Sequence, residues 1–185
     1  MKRLFAAIKI IPDKQFLSVY YKLVKQLANE RIKWVEPDNF HLTLKFFGEL
    51  PGDKTRIICS EMDKIVSGFP PFTINIQDTG IFGSSYNPKL IWFGIEDHGP
   101  LIALAEKVLD RMDEAGFARD RQNFVPHLTI GRIRRLNNKE RFQHTISTFK
   151  QVNIMKVKVL DIFLYESHLT PQGPVYEIVK RFGLK

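Results

Sequence analysis

Two apolar periods alternate along the chain, one fitting strands and the other helices. Arg3–Ile10 alternates imperfectly and reads as a buried strand stopped by Pro12. Asp13 suits the N-cap of a helix through about Asn29, with Phe16, Val19, Tyr20, Leu23, Val24 and Leu27 at helical spacing. Ile32–Val35 is a short strand before the turn Glu36-Pro37-Asp38-Asn39. Phe40–Phe46 is the next strand, closed by Gly48 and Pro51. Asp53 is read as the cap of a second helix to Val66, with Ile57, Ile58, Met62, Ile65 and Val66 as its stripe. Phe72–Ile76 and Leu90–Ile95 are strands separated by a Gly- and Ser-rich loop, Gly80 to Pro88. A third helix covers Leu101 to Ala115 and ends at Gly116. Val125–Ile133 is a strand, and Asn138–Thr148 a short helix. Ile154–Glu166 and Val175–Phe182 close the chain as strands joined by the turn Pro171-Gln172-Gly173-Pro174. Several connections are hairpin-short, which favours an α+β fold with mainly antiparallel sheets over a doubly wound parallel one.

One segment recurs. His41-Leu42-Thr43-Leu44 returns as His127-Leu128-Thr129-Ile130, each on an expected strand shortly followed by an expected helix. The repeat predicts a single domain, residues 1–185, built of two similar lobes about a pseudo-two-fold axis, with one copy in each.

Composition narrows the function classes. The 185 residues carry 15 Phe and are 44% hydrophobic, enough for a sizeable core and too much for disorder. The single cysteine, Cys59, excludes an intrachain disulfide and a cysteine-rich zinc site, and fits a reducing cytoplasm. The longest obvious uncharged stretch, Ile65 to Gln77, contains Pro70-Pro71 and is shorter than the roughly 18 residues of a membrane span. The run after Lys2-Arg3 is cut by Lys9, so no signal peptide is expected. The net charge of +8 admits a polyanionic partner. Arg119, Arg121, Arg132, Arg134, Arg135, Lys139 and Arg141 cluster against Asp120 and Glu140, a strip that reads either as a solvated edge or as phosphate contacts.

On a strand, residues two apart share a face. His41, Thr43 and Lys45 therefore project together, as do His127 and Thr129, while Leu42, Leu44, Leu128 and Ile130 turn inward. If the lobes face each other, two imidazoles flank one cleft with a threonine beside each. That set suits a phosphodiester: one neutral imidazole takes a proton from the attacking oxygen, and one imidazolium protonates the leaving oxygen. The threonine hydroxyls can donate to non-bridging oxygens, with Lys45 or Arg132 offsetting charge. Strict alternation turns Arg132 inward, so it reaches a phosphate only if the strand bulges or ends near Gly131.

These residues carry a family resemblance. The chain is similar from end to end to the 2H phosphoesterases, specifically the RNA 2′,3′-cyclic phosphodiesterase branch, also known as 2′-5′ RNA ligases. The matching segments are Arg3 to Ile8, Trp34 to Gly48, Phe124 to Arg132, and Leu164 to Ser167 with Leu169, Pro171, Gly173-Pro174 and Tyr176 after it. The resemblance implies a bilobal fold with both His-x-Thr strands lining a central cleft. It implies hydrolysis of a 2′,3′-cyclic phosphate at an RNA end to a 2′-phosphate and a free 3′-hydroxyl, without metal or other cofactor. His41 would be the general acid on the leaving 3′-oxygen and His127 the general base on water, with Thr43 and Thr129 on the phosphate. Run backwards with a 5′-hydroxyl in place of water, the same chemistry would join RNA ends through a 2′-5′ linkage. The partner expected is RNA bearing such ends, tRNA fragments among them, met by a monomer in the cytoplasm.

Other candidates amount to less. Gly52-Asp53-Lys54-Thr55 lacks the spacing of a phosphate loop and reads as a helix start, so no ATP site is implied. His98, in Glu96-Asp97-His98-Gly99, and His144 do not pair with carboxylates at metal-ligand spacing. His168-Leu169-Thr170 runs into Pro171 and reads as a strand end. Among the aromatics Phe5, Phe82, Tyr86 and Trp92, Phe5 and Phe82 are the candidates for stacking on a base. Two rival functions stay open: a binding module for RNA or nucleotide without turnover, and a phosphodiesterase of the same superfamily acting on a cyclic nucleotide, an oligoadenylate or another RNA 3′ end.

Overall fold

The computed structural model describes residues 1–84, 86–96, 98–119, 124–171 and 173–185. Asp120 and Arg121 of the basic strip, and Asp97 and Gln172 of two expected turns, lie outside the described residues. Nine strands and four helices are described, in the order β1 (Lys2–Lys9), α1 (Lys14–Gln26), β2 (Arg31–Trp34), β3 (His41–Leu50), α2 (Lys54–Val66), β4 (Phe72–Gly83), β5 (Pro88–Glu96), α3 (Pro100–Glu114), β6 (His127–Arg135), α4 (Lys139–Thr148), β7 (Asn153–Val159), β8 (Asp161–Thr170) and β9 (Gly173–Gly183). They form two sheets, β3-β1-β8-β9 and β2-β6-β5-β4-β7, in which every pairing is antiparallel.

Each sheet carries one His-x-Thr strand, β3 in the first and β6 in the second. The sheets are not simply the two halves of the chain. β2 and β4 lie in the first half of the chain yet belong to the second sheet, and β5 straddles the midpoint there, while β8 and β9 cross from the second half to complete the first. The chain passes between the sheets four times, at β1–β2, β2–β3, β3–β4 and β7–β8, which ties the two together. Leu4, Ala6 and Ile8 of β1, Leu42 and Leu44 of β3 and Leu128 and Ile130 of β6 join one hydrophobic core with the inner faces of all four helices. β1 is buried on its other face as well: Phe5 and Ala7 pack with Tyr165 in a smaller cluster.

Local chemistry sets most element ends. Asp13 Oδ1 accepts from the Phe16 amide at 2.7 Å to start α1, and Asn138 Oδ1 accepts from the Arg141 amide to start α4. Asp53 does not cap α2. Its backbone is itself helical (φ −63°, ψ −30°) and its side chain makes no cap bond. Gly116 ends α3 at φ +84°.

Two further expectations are corrected. Most of the loop expected over Gly80 to Pro88 is strand: β4 runs to Gly83, because Gly80 gives the Trp92 ring of β5 room to lie flat, and a Cβ there would stand 2.2 Å from it. The single strand expected over Ile154–Glu166 breaks at Leu160, where the chain passes from β7 in the second sheet to β8 in the first.

Candidate active site

The site is built on two bulges. On β3, Thr43 pairs with Ala7 and Lys45 with Ala6, leaving Leu44 without a partner across the strand. On β6, Thr129 pairs with Trp92 and Gly131 with Ile91, leaving Ile130 in the same situation. One extra residue shifts the alternation, so the inward–outward pattern restarts at the same place in both copies. His41, Thr43 and Phe46 then share one face of β3, and His127, Thr129 and Arg132 one face of β6. All six line a single cleft of about 790 Å³ between the sheets.

The bulge corrects one expectation and meets another. Lys45 does not share the His41 face: the shift turns it into the protein, where it is 1% exposed and its Nζ donates to the Ala118 carbonyl at 2.8 Å. Arg132 turns into the cleft, on the condition stated for it from sequence. Gly131 takes the inward place beside it, where a Cβ would meet Ile32 and Trp34 at 3.0 and 3.1 Å.

Both imidazoles are oriented in the same way. His41 Nδ1 lies 2.7 Å from the Asn39 carbonyl, and His127 Nδ1 lies 2.7 Å from the Val125 carbonyl. A carbonyl only accepts, so Nδ1 carries the proton in each ring, and Nε2 is left to exchange protons with a ligand. Ring packing fixes the planes. His41 is held by Phe5 and Tyr176 at centroid distances of 5.0 and 5.1 Å, and His127 by the edge of Phe82 at 4.7 Å. Burial lowers the pKa of His41, opposed by its bond to Asn39; the charge of Arg132 and then that of His127 lower it further. Burial likewise lowers His127, opposed by its bond to Val125.

Sequence reasoning misplaces the aromatics. Phe5 is 3% exposed and stacked against Tyr165, so it serves as a wall for His41 rather than a platform for a base. Phe82 holds His127, and Trp92 packs behind it at 5.4 Å. Phe5, Trp34, Phe46 and Tyr176 all line the cleft, and the exposed one is Phe46, 43% exposed, with the Arg3 guanidinium 5.0 Å over its ring. The sequence holds the signal for it: if a bulge frees Arg132 in one copy, the matching bulge in the other exposes Phe46 and buries Lys45. Tyr176 enters the sequence reading only as part of a motif.

Arg3, Lys33, Arg132 and Arg134 line the cleft against one carboxylate, Glu36, among the described lining residues. The other histidines stand apart. His168 is exposed beside Glu177, His98 is exposed in a loop, and His144 lines a smaller hollow of about 480 Å³ between α1 and α4. Among the described residues no three His, Cys, Asp or Glu side chains are grouped as metal ligands. Burial raises the Cys59 thiol, which does not activate it. No helix among the described residues is long and apolar enough to cross a membrane.

Comparison with known proteins agrees with this duplicated plan. The family described as LigT like phosphoesterase matches the chain twice, over residues 10–92 and 94–176, each match containing one His-x-Thr strand. The chain belongs to the LigT-like phosphoesterases. Relatives named RNA 2′,3′-cyclic phosphodiesterase include that of Methanocaldococcus jannaschii, 32% identical over 97% of this chain and 99% of the relative. That of Thermotoga maritima is 32% identical over 96% and 92%. The fold of this family member is also that of a Thermus thermophilus protein (TM-score 0.80, 24% identity, 98% and 97% covered) and of Escherichia coli LigT crystallised with 3′-AMP (TM-score 0.78, 24% identity, 100% and 98% covered).

Proposed function

We propose that the protein hydrolyses 2′,3′-cyclic phosphate at the 3′ end of RNA, giving a 2′-phosphate and a free 3′-hydroxyl. The observation that carries this reading is the pair of imidazoles on one cleft, each with Nδ1 committed to a backbone carbonyl and Nε2 left for proton transfer. The names of the relatives supply the substrate.

His127 Nε2 takes a proton from water as the water oxygen attacks phosphorus. The bond from phosphorus to the 3′-oxygen breaks, and His41 Nε2–H protonates that oxygen as it leaves. Arg132, Thr43 and Thr129 bind the non-bridging oxygens, whose charge grows in the transition state. The substrate is an anion and offsets the charge of Arg132, which depresses His41; binding therefore favours the imidazolium that the leaving oxygen needs. The exposed ring of Phe46 is the surface on which the terminal base stacks. With a 5′-hydroxyl in place of water as the nucleophile, the same proton transfers make a 2′-5′ linkage. Hydrolysis dominates, because water is abundant and ring opening releases strain.

The test is incubation with a short RNA ending in 2′,3′-cyclic phosphate in excess EDTA, with the product identified. A 2′-phosphate formed in EDTA is the expected result. A 3′-phosphate would mean that the leaving oxygen is misassigned. No product would favour binding without turnover or a different phosphodiester.

A further inference from the structure

The basic strip seen in the sequence divides in the structure, and one part of it leads out of the cleft. β2 and β6 pair as a ribbon along the edge of the second sheet, with Lys33 directly opposite Arg132 and Arg31 directly opposite Arg135. Opposed residues of an antiparallel pair share a face, and so do residues two apart on a strand. Ile32 and Ile133, paired with each other, pack on the core, so these four cations occupy the other face. The register shift between Arg31 and Ile32 leaves Arg134 as the extra residue, and it too lines the cleft.

Like charges placed directly across a ladder destabilise it. Some cations elsewhere on this protein are neutralised, among them Arg119 by Asp110 and Arg181 by Asp161. Among the described residues Arg31, Arg132, Arg134 and Arg135 hold no carboxylate within ion-pair distance. Protection of a sheet edge explains charge on β2, the edge strand, but not the cations facing it from β6. A repeating anion lying along the ribbon explains both rows. Arg132 belongs to the ladder and to the phosphate site at once, so the track starts where the reaction takes place.

We propose that this ladder holds the 5′-flanking phosphodiesters of one RNA strand whose 3′ end lies in the cleft. It rests on the reaction proposed above: a 2′,3′-cyclic phosphate terminates a 3′ end, so every further phosphate lies on the 5′ side. The preferred substrate is then an oligonucleotide end, and a free nucleoside cyclic phosphate reaches only the Arg132 end of the track.

The experiment compares kcat/KM on adenosine 2′,3′-cyclic phosphate and on a hexanucleotide with the same terminus, at 50 and 200 mM salt. The double variant Arg31→Gln/Arg135→Gln changes two exposed residues that do not line the cleft. It should lose about tenfold on the hexanucleotide at low salt, and its salt slope should fall by about 1.4, at roughly 0.7 per phosphate contact on a single strand. Activity on the mononucleotide should stay at the wild-type level, which also shows that the variant folds. Arg31→Lys/Arg135→Lys should restore most of the loss. An equal loss on both substrates, or no loss on the hexanucleotide, overturns the track. If the unaltered protein cleaves neither substrate, the proposed reaction fails by itself. The track is then judged by anisotropy of a labelled hexanucleotide ending in 2′-phosphate: weaker binding and a shallower salt slope in the Gln variant sustain it, and unchanged binding overturns it.

Discussion

β3 and β6 use one backbone design for two different half-sites. In both, a histidine donates Nδ1–H to the carbonyl two residues back, a threonine comes next on the same face, and a bulge re-aims the strand after one more residue. Beyond the bulge the two strands diverge. β3 presents the Phe46 ring and buries a lysine, whereas β6 presents the Arg132 guanidinium and buries a glycine. The surroundings differ too: two aromatic rings enclose His41, and one ring edge meets His127. In the proposed reaction, duplication fixes where protons move, and divergence beyond the bulge fixes what is bound. The cation of one half lowers the pKa of the histidine of the other, so the halves form one electrostatic unit.

The most severe way to break this equivalence is to remove either imidazole. His41→Ala and His127→Ala should each lower kcat by at least about 10²-fold with folding intact, general acid–base catalysis being worth roughly 10²–10⁴-fold. Because the two act as a unit, the double variant should lose far less than the product of the single losses. Steady-state rates with near-ultraviolet circular dichroism decide this. Fully multiplicative losses would mean that the histidines work independently.

Arg132→Gln comes next. Loss of one donor to a developing oxyanion costs roughly 10²–10³-fold. It should also move a titration. Burial and the charge of Arg132 depress His41, the proposed acid, so in the wild type its imidazolium is lost as pH rises through values below the ordinary 6.5 or so, and kcat/KM falls on the alkaline side from there. Without the guanidinium, His41 keeps its proton to higher pH, and that limb should shift towards alkaline pH. A loss of rate with an unmoved limb would confine Arg132 to phosphate binding.

The sequence is legible where a pattern repeats and obscure where it is broken. The two His-x-Thr strands and the helix stripes follow from periodicity, because burial selects the same face throughout an element, and the antiparallel character follows from the hairpin-short connections. The bulge on β6 is signalled only by Gly131, and the bulge on β3 has no signature of its own. Period-two reading therefore puts Lys45 beside His41, although the duplicated reading of Gly131 and Arg132 already contains the correction. The strand break at Leu160 is hidden because both sides are apolar and continue into different sheets. Phe5 and Phe82 are recognisable as site aromatics, but only packing distances reveal that they hold imidazoles.

Phe46→Ala tests what the divergent position on β3 contributes. Stacking of a base on an aromatic ring is worth roughly 1–3 kcal/mol. The loss in kcat/KM should therefore be about tenfold, smaller than for Arg132, and should fall on KM more than on kcat. A variant with unchanged KM for an RNA end would show that the base binds elsewhere.

Lys45→Met should have the smallest effect on chemistry, and it separates the face that binds from the face that supports. Methionine keeps a long apolar side chain in the space that Lys45 fills, but it cannot donate to the Ala118 carbonyl. A buried acceptor left without its partner costs roughly 1–3 kcal/mol. At about 2–4 °C per kcal/mol for a chain of this size, the melting temperature should fall by several degrees. Activity per folded molecule should nevertheless stay within about twofold of wild type, since Lys45 does not line the cleft. The reverse outcome, normal melting with a large loss of kcat/KM, would mean that Lys45 turns outward when substrate binds. The two half-sites would then share a cation on each side of the phosphate, and the asymmetry between Phe46 and Arg132 would no longer define them.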